Sequence, residues 1–271
     1  MRVLCQVLDV APSSYYYQPH AAEDLALREA LEAVALEYPR YGSRRITAEL
    51  RRRGWEINRK RVQRLMREAN LLVEVKRYCQ TTMSRHPYGR YPNLLKHLEI
   101  VRPNQVWCAD LTYIRLPRQF VYLAVLLDVF TRSIRGWELA GHLLEALPRA
   151  ALERALQIGQ PEIHHSDQGV QYAASGYVSC LEQAGVRISM AARGKPTENA
   201  YVERLMRTLK EEEVSLQDYE DLEDARAHLK RFLEDVYMHK RVHSALGYLT
   251  PVEFEAQWRA GIIESSGSTT V

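Results

Sequence analysis

Three carboxylates carry the chemistry this sequence offers: Asp110, Asp167 and Glu203. Asp110 interrupts an apolar, strand-like run, V-W-C-A-D-L-T-Y-I, where an ionised side chain is costly unless it is paired or binds a metal. Asp167 stands where a second apolar run gives way to Gln168-Gly169, and Glu203 lies on a helical stretch. Each alone has an ordinary reading: a solvated strand face, a turn aspartate, an exposed helix glutamate. Together they read differently. On the helix, Val202, Leu205, Met206 and Leu209 form the buried stripe, and Glu203, Arg207 and Lys210 share one flank, since offsets of four and seven return to the same face. A carboxylate beside two cations, set against a sheet edge bearing two aspartates, is a site for metals and phosphates. Hard oxygen donors with no cysteine and no required histidine favour Mg²⁺ or Mn²⁺ over zinc.

The elements that must position these groups begin at Asn104. Strand-like runs VWCADLTYIRL and QFVYLAVLLDVFTRSIRGWEL flank the turn signal Pro117-Arg118-Gln119. The pattern then predicts a helix over 143–157, a short strand entering His164-His165-Ser166-Asp167, a helix over 174–184 and a fifth strand over 186–190. Helices over 198–214, capped by Thr197, and over 221–239 complete the region. Three early strands followed by alternating helix and strand indicate an α/β sheet with helices on its faces.

A different composition precedes it. Residues 22–37 carry Leu27, Leu31 and Val34 at helical spacing, and Pro39 stops that helix. Ser43 is expected to cap a second helix with Ile46 and Leu50 inward, which Gly54 ends. Asn58 is expected to cap a third, with Val62, Leu65, Met66 and Ala69 as its stripe. Two short helices around a G-W-E-I turn make a helix-turn-helix pattern. Residues 40–67 hold eleven Lys and Arg against two acids, Glu49 and Glu56, a density that calls for an anionic partner. Arg44, Arg45, Arg59, Lys60, Arg61 and Arg64 are the candidate phosphate contacts, giving salt-sensitive and largely sequence-independent affinity. The expected division is a helical basic DNA-binding domain over 1–72, a linker over 73–100 with a possible strand at 72–76, a catalytic domain over 101–258, and a disordered tail over 259–271.

Bulk properties agree with this division. Residues 1–105 carry 19 Lys and Arg against 11 Asp and Glu, and the remainder 18 against 23, so a net charge of +3 hides a basic front and an acidic back. The four cysteines, Cys5, Cys79, Cys108 and Cys180, are scattered without a C-x-x-C pair, which argues against a zinc knuckle or a disulfide framework. No apolar run reaches the roughly 18–20 residues that span a bilayer. The N-terminus lacks a signal-peptide layout, so the protein is expected in the cytoplasm, on the nucleoid when DNA-bound.

The words around the carboxylates are specific. Asp110 and Asp167 have 56 residues between them, Asp167 and Glu203 have 35, and the flanking strings are W-C-A-D-L-T-Y, H-S-D-Q-G-V-Q-Y and E-N-A-Y-V-E-R, with T-L-K beyond. A last block reads Y-M-H-K-R-V-H-S-A-L-G-Y-L-T-P. From about residue 37 to 256 the chain resembles the downstream-frame (OrfB) transposases of insertion-sequence family three, in the DDE transposase and retroviral integrase superfamily. The resemblance implies an α/β, RNase H-like (integrase-type) catalytic core with a mixed five-stranded sheet, preceded by a small all-α helix-turn-helix-like domain. Asp110 would lie on the first strand, Asp167 after the fourth and Glu203 on a following helix, with Lys210 contacting the DNA end. Ser43, Glu198 and Met238 depart from the family's usual aromatic, Asp and Asn.

Two Mg²⁺ ions, with Mn²⁺ as a substitute, would be held with Asp110 bridging both, Asp167 on one and Glu203 on the other. Water would free a 3′-hydroxyl at the element's end, which then attacks a phosphodiester elsewhere. Partners implied are double-stranded DNA as element ends and target, a homo-oligomer to bring two ends together, and an upstream-frame (OrfA) partner or fusion. Lys195, between Gly194 and Pro196, is a candidate phosphate contact or an ordinary exposed lysine. Arg241 and His243 either bind DNA or cap the last helix's carbonyls. His165 and Ser166 read as packing beside the site, and Trp55 and Trp107 as core aromatics. Three alternatives stay open: a non-catalytic DNA-binding regulator of transposition, an RNase H-like nuclease or resolvase, and a serine or tyrosine nucleophile that would leave the carboxylates without a role.

Overall fold

A computed structural model describes residues 21–72, 91–192, 196–263 and 269–270. The chain divides into two compact units, Met1–Glu74 and Val75–Val271. The first is helical: α1 (Ala21–Glu37), α2 (Ser43–Arg52) and α3 (Arg59–Glu68). Leu27, Leu31 and Val34 of α1 are buried, as are Ile46 and Leu50 of α2 and Val62, Leu65 and Met66 of α3, so the sequence's apolar stripes are the core. Asn58 caps α3, its side chain accepting the Lys60 amide at 2.8 Å. Ser43 does not cap α2. It is the first helical residue, behind Gly42, and no side chain caps that end. The α2 terminus closes as a Schellman turn, with the Trp55 amide donating to the Leu50 carbonyl at 3.0 Å and the Gly54 amide to Arg51 at 3.0 Å. Gly54 has φ of +89°, which a side chain would oppose. Trp55 is only half-buried on that turn. The strand expected over 72–76 lies, from residue 73 on, outside the described residues.

In the second unit β1 is Glu99–Ile100, β2 Val106–Arg115, β3 Phe120–Asp128 and β4 Ile134–Ala140. Then come α4 (Ala146–Ile158), β5 (Ile163–Ser166), α5 (Val170–Ala173), α6 (Ser175–Gln183) and β6 (Arg187–Met190). A 3₁₀ turn over Pro196–Asn199 leads into α7 (Ala200–Glu212). The sheet order is β4-β3-β2-β5-β6, antiparallel between β2, β3 and β4 and parallel between β2, β5 and β6. This is the mixed five-stranded sheet expected.

Strand alternation decides which helix each β2 residue meets. Val106, Cys108 and Ile114 face a core built with Val202, Leu205, Met206 and Leu209 of α7. Trp107 and Ala109 face the opposite core, with Ala151, Leu152 and Ala155 of α4 and Tyr177 and Leu181 of α6. Asp110 has the parity of Cys108, hence the α7 side.

Three differences from the sequence reading concern the last helix, the expected linker and the tail. The last expected helix is α8 (Leu222–Lys230), which continues with π-type hydrogen bonding over Arg231–Lys240; α9 (Pro251–Arg259) follows. Residues 91–100, expected as linker, belong to this unit: Leu95 and Ile100 are buried, and the Leu94 amide donates to Ser189 Oγ at 2.9 Å. Of the tail expected without order, Thr269 and Thr270 form β7, paired antiparallel with Ile100 and Glu99; residues 264–268 and 271 are outside the described residues. No helix of the described residues is long and apolar enough to cross a membrane.

Gly136 on β4 sets how closely α4 approaches the sheet. A Cβ there would meet the Ala151 carbonyl oxygen at 2.4 Å and the Ala155 Cβ at 2.9 Å. Gly136→Ala is expected to displace α4 and cost about 1–3 kcal/mol, the scale of core overpacking. Thermal unfolding would then fall by several degrees; an unchanged midpoint would mean that the helix moves aside freely.

Candidate active site

Asp110 sits midway along β2, opposite Val125 of β3. On its other edge β2 pairs with β5 only over Val106–Cys108, so that edge is open from Asp110 onward. Asp167 follows the last residue of β5, the strand parallel to β2, and its Oδ1 accepts the Gly169 amide at 2.9 Å. Glu203 lies in the first turn of α7. All three are partly buried.

The three carboxylates act on one another. Burial, and then the Asp167 charge, push Asp110 up to about 8, with Glu203 adding to the rise; the Leu111 amide, donating to Asp110 Oδ1 at 2.8 Å, and the Lys210 ammonium pull it down. Glu203 is raised by burial and by Asp167 and lowered by Arg207. Lys210 is lowered by its own burial and held up by Asp110. Of the flank read from the sequence, Arg207 acts on Glu203 and Lys210 on Asp110. Among the described residues no three His, Cys, Asp or Glu side chains form one common metal cage.

Two side chains overlooked in the sequence tie this geometry together. Asn199, buried at the start of α7, donates through Nδ2 to the Ala109 carbonyl at 3.2 Å, fastening the Glu203 helix to the residue before Asp110. Asn199, not Thr197, is the residue preceding the helix, and it makes no side-chain cap. Glu198 accepts the Asn93 side chain at 2.8 Å and the Ala192 amide at 2.7 Å, closing the base of the loop before α7. Tyr172, buried in the Q-Y of the second word, lies in the field of Asp110 and Asp167.

His165 packs as expected, but inside β5 and not in a loop. Its Nδ1 meets Ser189 Oγ at 2.8 Å and its Nε2 the Glu198 carbonyl at 3.1 Å, and burial lowers it to about 4, so it is neutral at pH 7. Ser166 donates to the Asp167 carbonyl at 3.0 Å. Trp107 is fully buried.

The structure does not offer Arg241 to DNA. Its side chain is 3% exposed and forms a two-pronged pair with Glu212 at 2.6 and 2.8 Å, over the Tyr237 ring. His243 is buried against Tyr237, and its backbone bridges to Leu249. The L-T-P of that block is a capping box: Thr250 Oγ1 accepts the Glu253 amide at 3.2 Å, and Glu253 returns to the Thr250 amide at 2.9 Å. Lys195 lies outside the described residues.

In the helical unit, Arg44, Arg59, Lys60 and Arg64 are exposed and Arg45 and Arg61 half-buried. Arg45 lies over the Tyr41 ring at 5.4 Å, and Arg64 reaches Glu68 at 3.7 Å. Arg53, by contrast, pairs with Glu37 at 2.7 Å and Glu49 at 2.9 Å, and Arg51 donates to the Ile57 carbonyl. Arg59, Lys60 and Arg61 open α3 with no acid in its first turn, an arrangement the helix dipole opposes and a phosphate would relieve.

Arg241→Ala is expected to cost about 3–5 kcal/mol of stability by stranding Glu212. It should leave the DNA affinity of the folded protein unchanged, read by melting and by binding titration. For Asp110 the sign follows from its raised value: ionising it opposes folding, so the metal-free fold loses stability as pH climbs from about 4 towards 8. Asp110→Asn should therefore raise the melting midpoint at about pH 9 more than at about pH 5. An equal gap at both would contradict the coupling.

Comparison with known proteins gives this arrangement its relatives. Two models described as integrase core domain match residues 101–196 and 184–251, and one described as HTH-like domain matches residues 22–78. The transposase for insertion sequence element IS904 of Lactococcus lactis is 37% identical over 84% of this chain and 93% of its own length. The transposase InsF for insertion sequence IS3A of Escherichia coli is 31% identical over 94% of this chain and 93% of its own. A chain of the simian T-cell lymphotropic virus intasome, solved in complex with PP2A regulatory subunit B56 gamma, shares the fold at 16% identity, with a TM-score of 0.50 over 83% of this chain and 74% of that one. With its integrase core, its HTH-like unit and relatives along almost its whole length, the chain belongs to the IS3-type insertion-sequence transposases.

Proposed function

We propose that the chain cuts and joins DNA at the ends of an insertion sequence, with Asp110, Asp167 and Glu203 as its catalytic metal ligands. The observation that carries this is the mutual field of the three carboxylates at the open edge of β2. Hard oxygen donors in one excess-negative cluster suit Mg²⁺, or Mn²⁺ in its place. Asp110, Asp167 and Glu203 would together hold two such ions. Bound there, the ions would supply Lewis-acid stabilisation of the attacking and leaving oxygens of an in-line displacement.

The chain's own residues do the rest. Lys210 and Arg207 give the scissile strand's phosphates a cationic flank beside the carboxylates. His165, neutral and bonded at both ring nitrogens, holds β5 to the start of α7. Water attacks first, releasing a 3′-hydroxyl at the element's end; that hydroxyl then attacks a target phosphodiester, displacing a DNA oxygen. No bond to the protein forms. Arg44, Arg45, Arg59, Lys60, Arg61 and Arg64 of the helical unit neutralise DNA phosphates, and Lys195 is a further candidate phosphate contact. Two ends meet through self-association or through an upstream-frame partner.

The test is incubation of the protein with labelled element-end DNA and Mg²⁺, scoring cleaved and joined strands. Asp110→Asn is expected to lose both by about 10³-fold or more, the scale of removing a charge-stabilising group. Full strand joining by that variant would refute the assignment, specific binding without cleavage would favour a regulator, and equal cleavage of RNA–DNA hybrids would favour a nuclease.

A further inference from the structure

Beyond Asp110, β2 carries an aromatic surface that the strand chemistry leaves unused. Tyr113 is 57% exposed and Phe120, near it on β3, is 44% exposed. Their rings meet edge to face at 5.7 Å. The Lys210 ammonium lies over the Tyr113 ring, 5.0 Å from its centroid, and the Arg115 guanidinium over Phe120 at 5.9 Å. A cross-strand aromatic pair can serve a hairpin alone. Here, however, large apolar rings are left to water at a sheet edge, and one is in contact with the cation that also acts on Asp110.

We infer that Tyr113, braced by Phe120, is a stacking platform for an unpaired base next to the scissile phosphate. This rests on the transposase reading of the carboxylate site and adds to it a positioning residue. Tyr113 has the parity of Ala109, so its ring stands on the other face of β2 from Asp110, and Lys210, which lies over the ring and acts on Asp110, links the two round the edge of the strand. A base swung out of the helix beside the reacting phosphate can reach round that edge to the ring. Lys210 occupies one side of the ring, and Lys210 and Arg115 together supply positive charge for the phosphates on either side of that base. A paired base hides its faces between neighbours; only one released from the helix can offer a face to Tyr113. The platform therefore favours melting of the terminal pair, which a strand needs in order to bend into a site set below the rim of the sheet.

The test uses the full chain and DNA from the termini of its own element, fully paired or with the terminal pair mismatched. The wild type should bind the mismatched end more tightly than the paired end, with Mg²⁺ omitted, and Tyr113→Ala should bind both alike. With Mg²⁺, Tyr113→Ala should lower kcat about tenfold on paired ends, with most of the loss recovered on mismatched ends. Tyr113→Phe and Tyr113→Trp should behave as wild type, and an unchanged melting midpoint for Tyr113→Ala separates stacking from folding. Equal losses on both substrates, or a preference for mismatched ends that survives in Tyr113→Ala, overturns the platform. If the wild type shows the Tyr113-dependent preference but never cuts, the platform stands and the strand-transfer reading falls.

Discussion

Repulsion between like charges at a place with little water governs this unit. Burial raises the protonation of Asp110 and Glu203, and the Asp167 charge raises both further. Such a cluster persists only where the backbone gives it no choice. The pairing of β2 with β5 ends at Cys108, so Asp110 stands where the sheet opens, and the end of β5 delivers Asp167 beside it. Strand parity turns Asp110 to the α7 side, and the apolar stripe of α7 fixes the rotation of that helix so that Glu203 is on the neighbouring flank. The energy to hold three acids together thus comes from packed Val, Leu and Met side chains on the same two elements.

Several buried charges among the described residues lie in ion pairs around the site. Asp128 accepts the Phe130 and Thr131 amides and pairs with Arg135 at 3.1 Å, and Arg135 also reaches Glu255. Glu138 takes Arg226 and Arg154, each at 2.7 Å. Arg241 and Glu212 close the C-terminal end of α7 onto the chain beyond the π segment. Breaking such a pair is expensive because it strands a charge. These pairs fix the elements around the triad, and the triad's own excess charge is left for cations and phosphates.

This distinction explains what the sequence could disclose. Alternation along β2 and the 3.6-residue stripe of α7 are local periodicities, so the faces of both elements, and with them Asp110 and Glu203, were legible. Asn58 was legible as a cap because its partner is two residues away. Arg241 was not legible as a core residue, because Glu212, which neutralises it, is 29 residues distant and no spacing rule connects them. Ser43 failed as a cap because the helix begins one residue earlier than its type suggested, behind Gly42. The role of 91–100 was hidden in the same way: its weak periodicity resembles a linker, but its partners Ser189, Met190 and Glu198 lie about a hundred residues on.

Glu198 and Asn199 show why neighbouring residues at the head of α7 serve different elements. Glu198 reaches back to Asn93 and Ala192 and so fixes the two ends of the chain that meet before the helix. Asn199 reaches forward to the Ala109 carbonyl and fixes the helix to the strand of Asp110. The Glu198 carbonyl meanwhile receives His165, whose other nitrogen is engaged by Ser189 of β6. One turn of 3₁₀ helix therefore ties β2, β5 and β6 together, and Asp110, Asp167 and Glu203 each lie within a few residues of one of these bonds. A displacement of that turn would move Glu203 relative to both aspartates at once. The precision of the carboxylate cluster depends on five polar contacts made by groups that do no chemistry themselves.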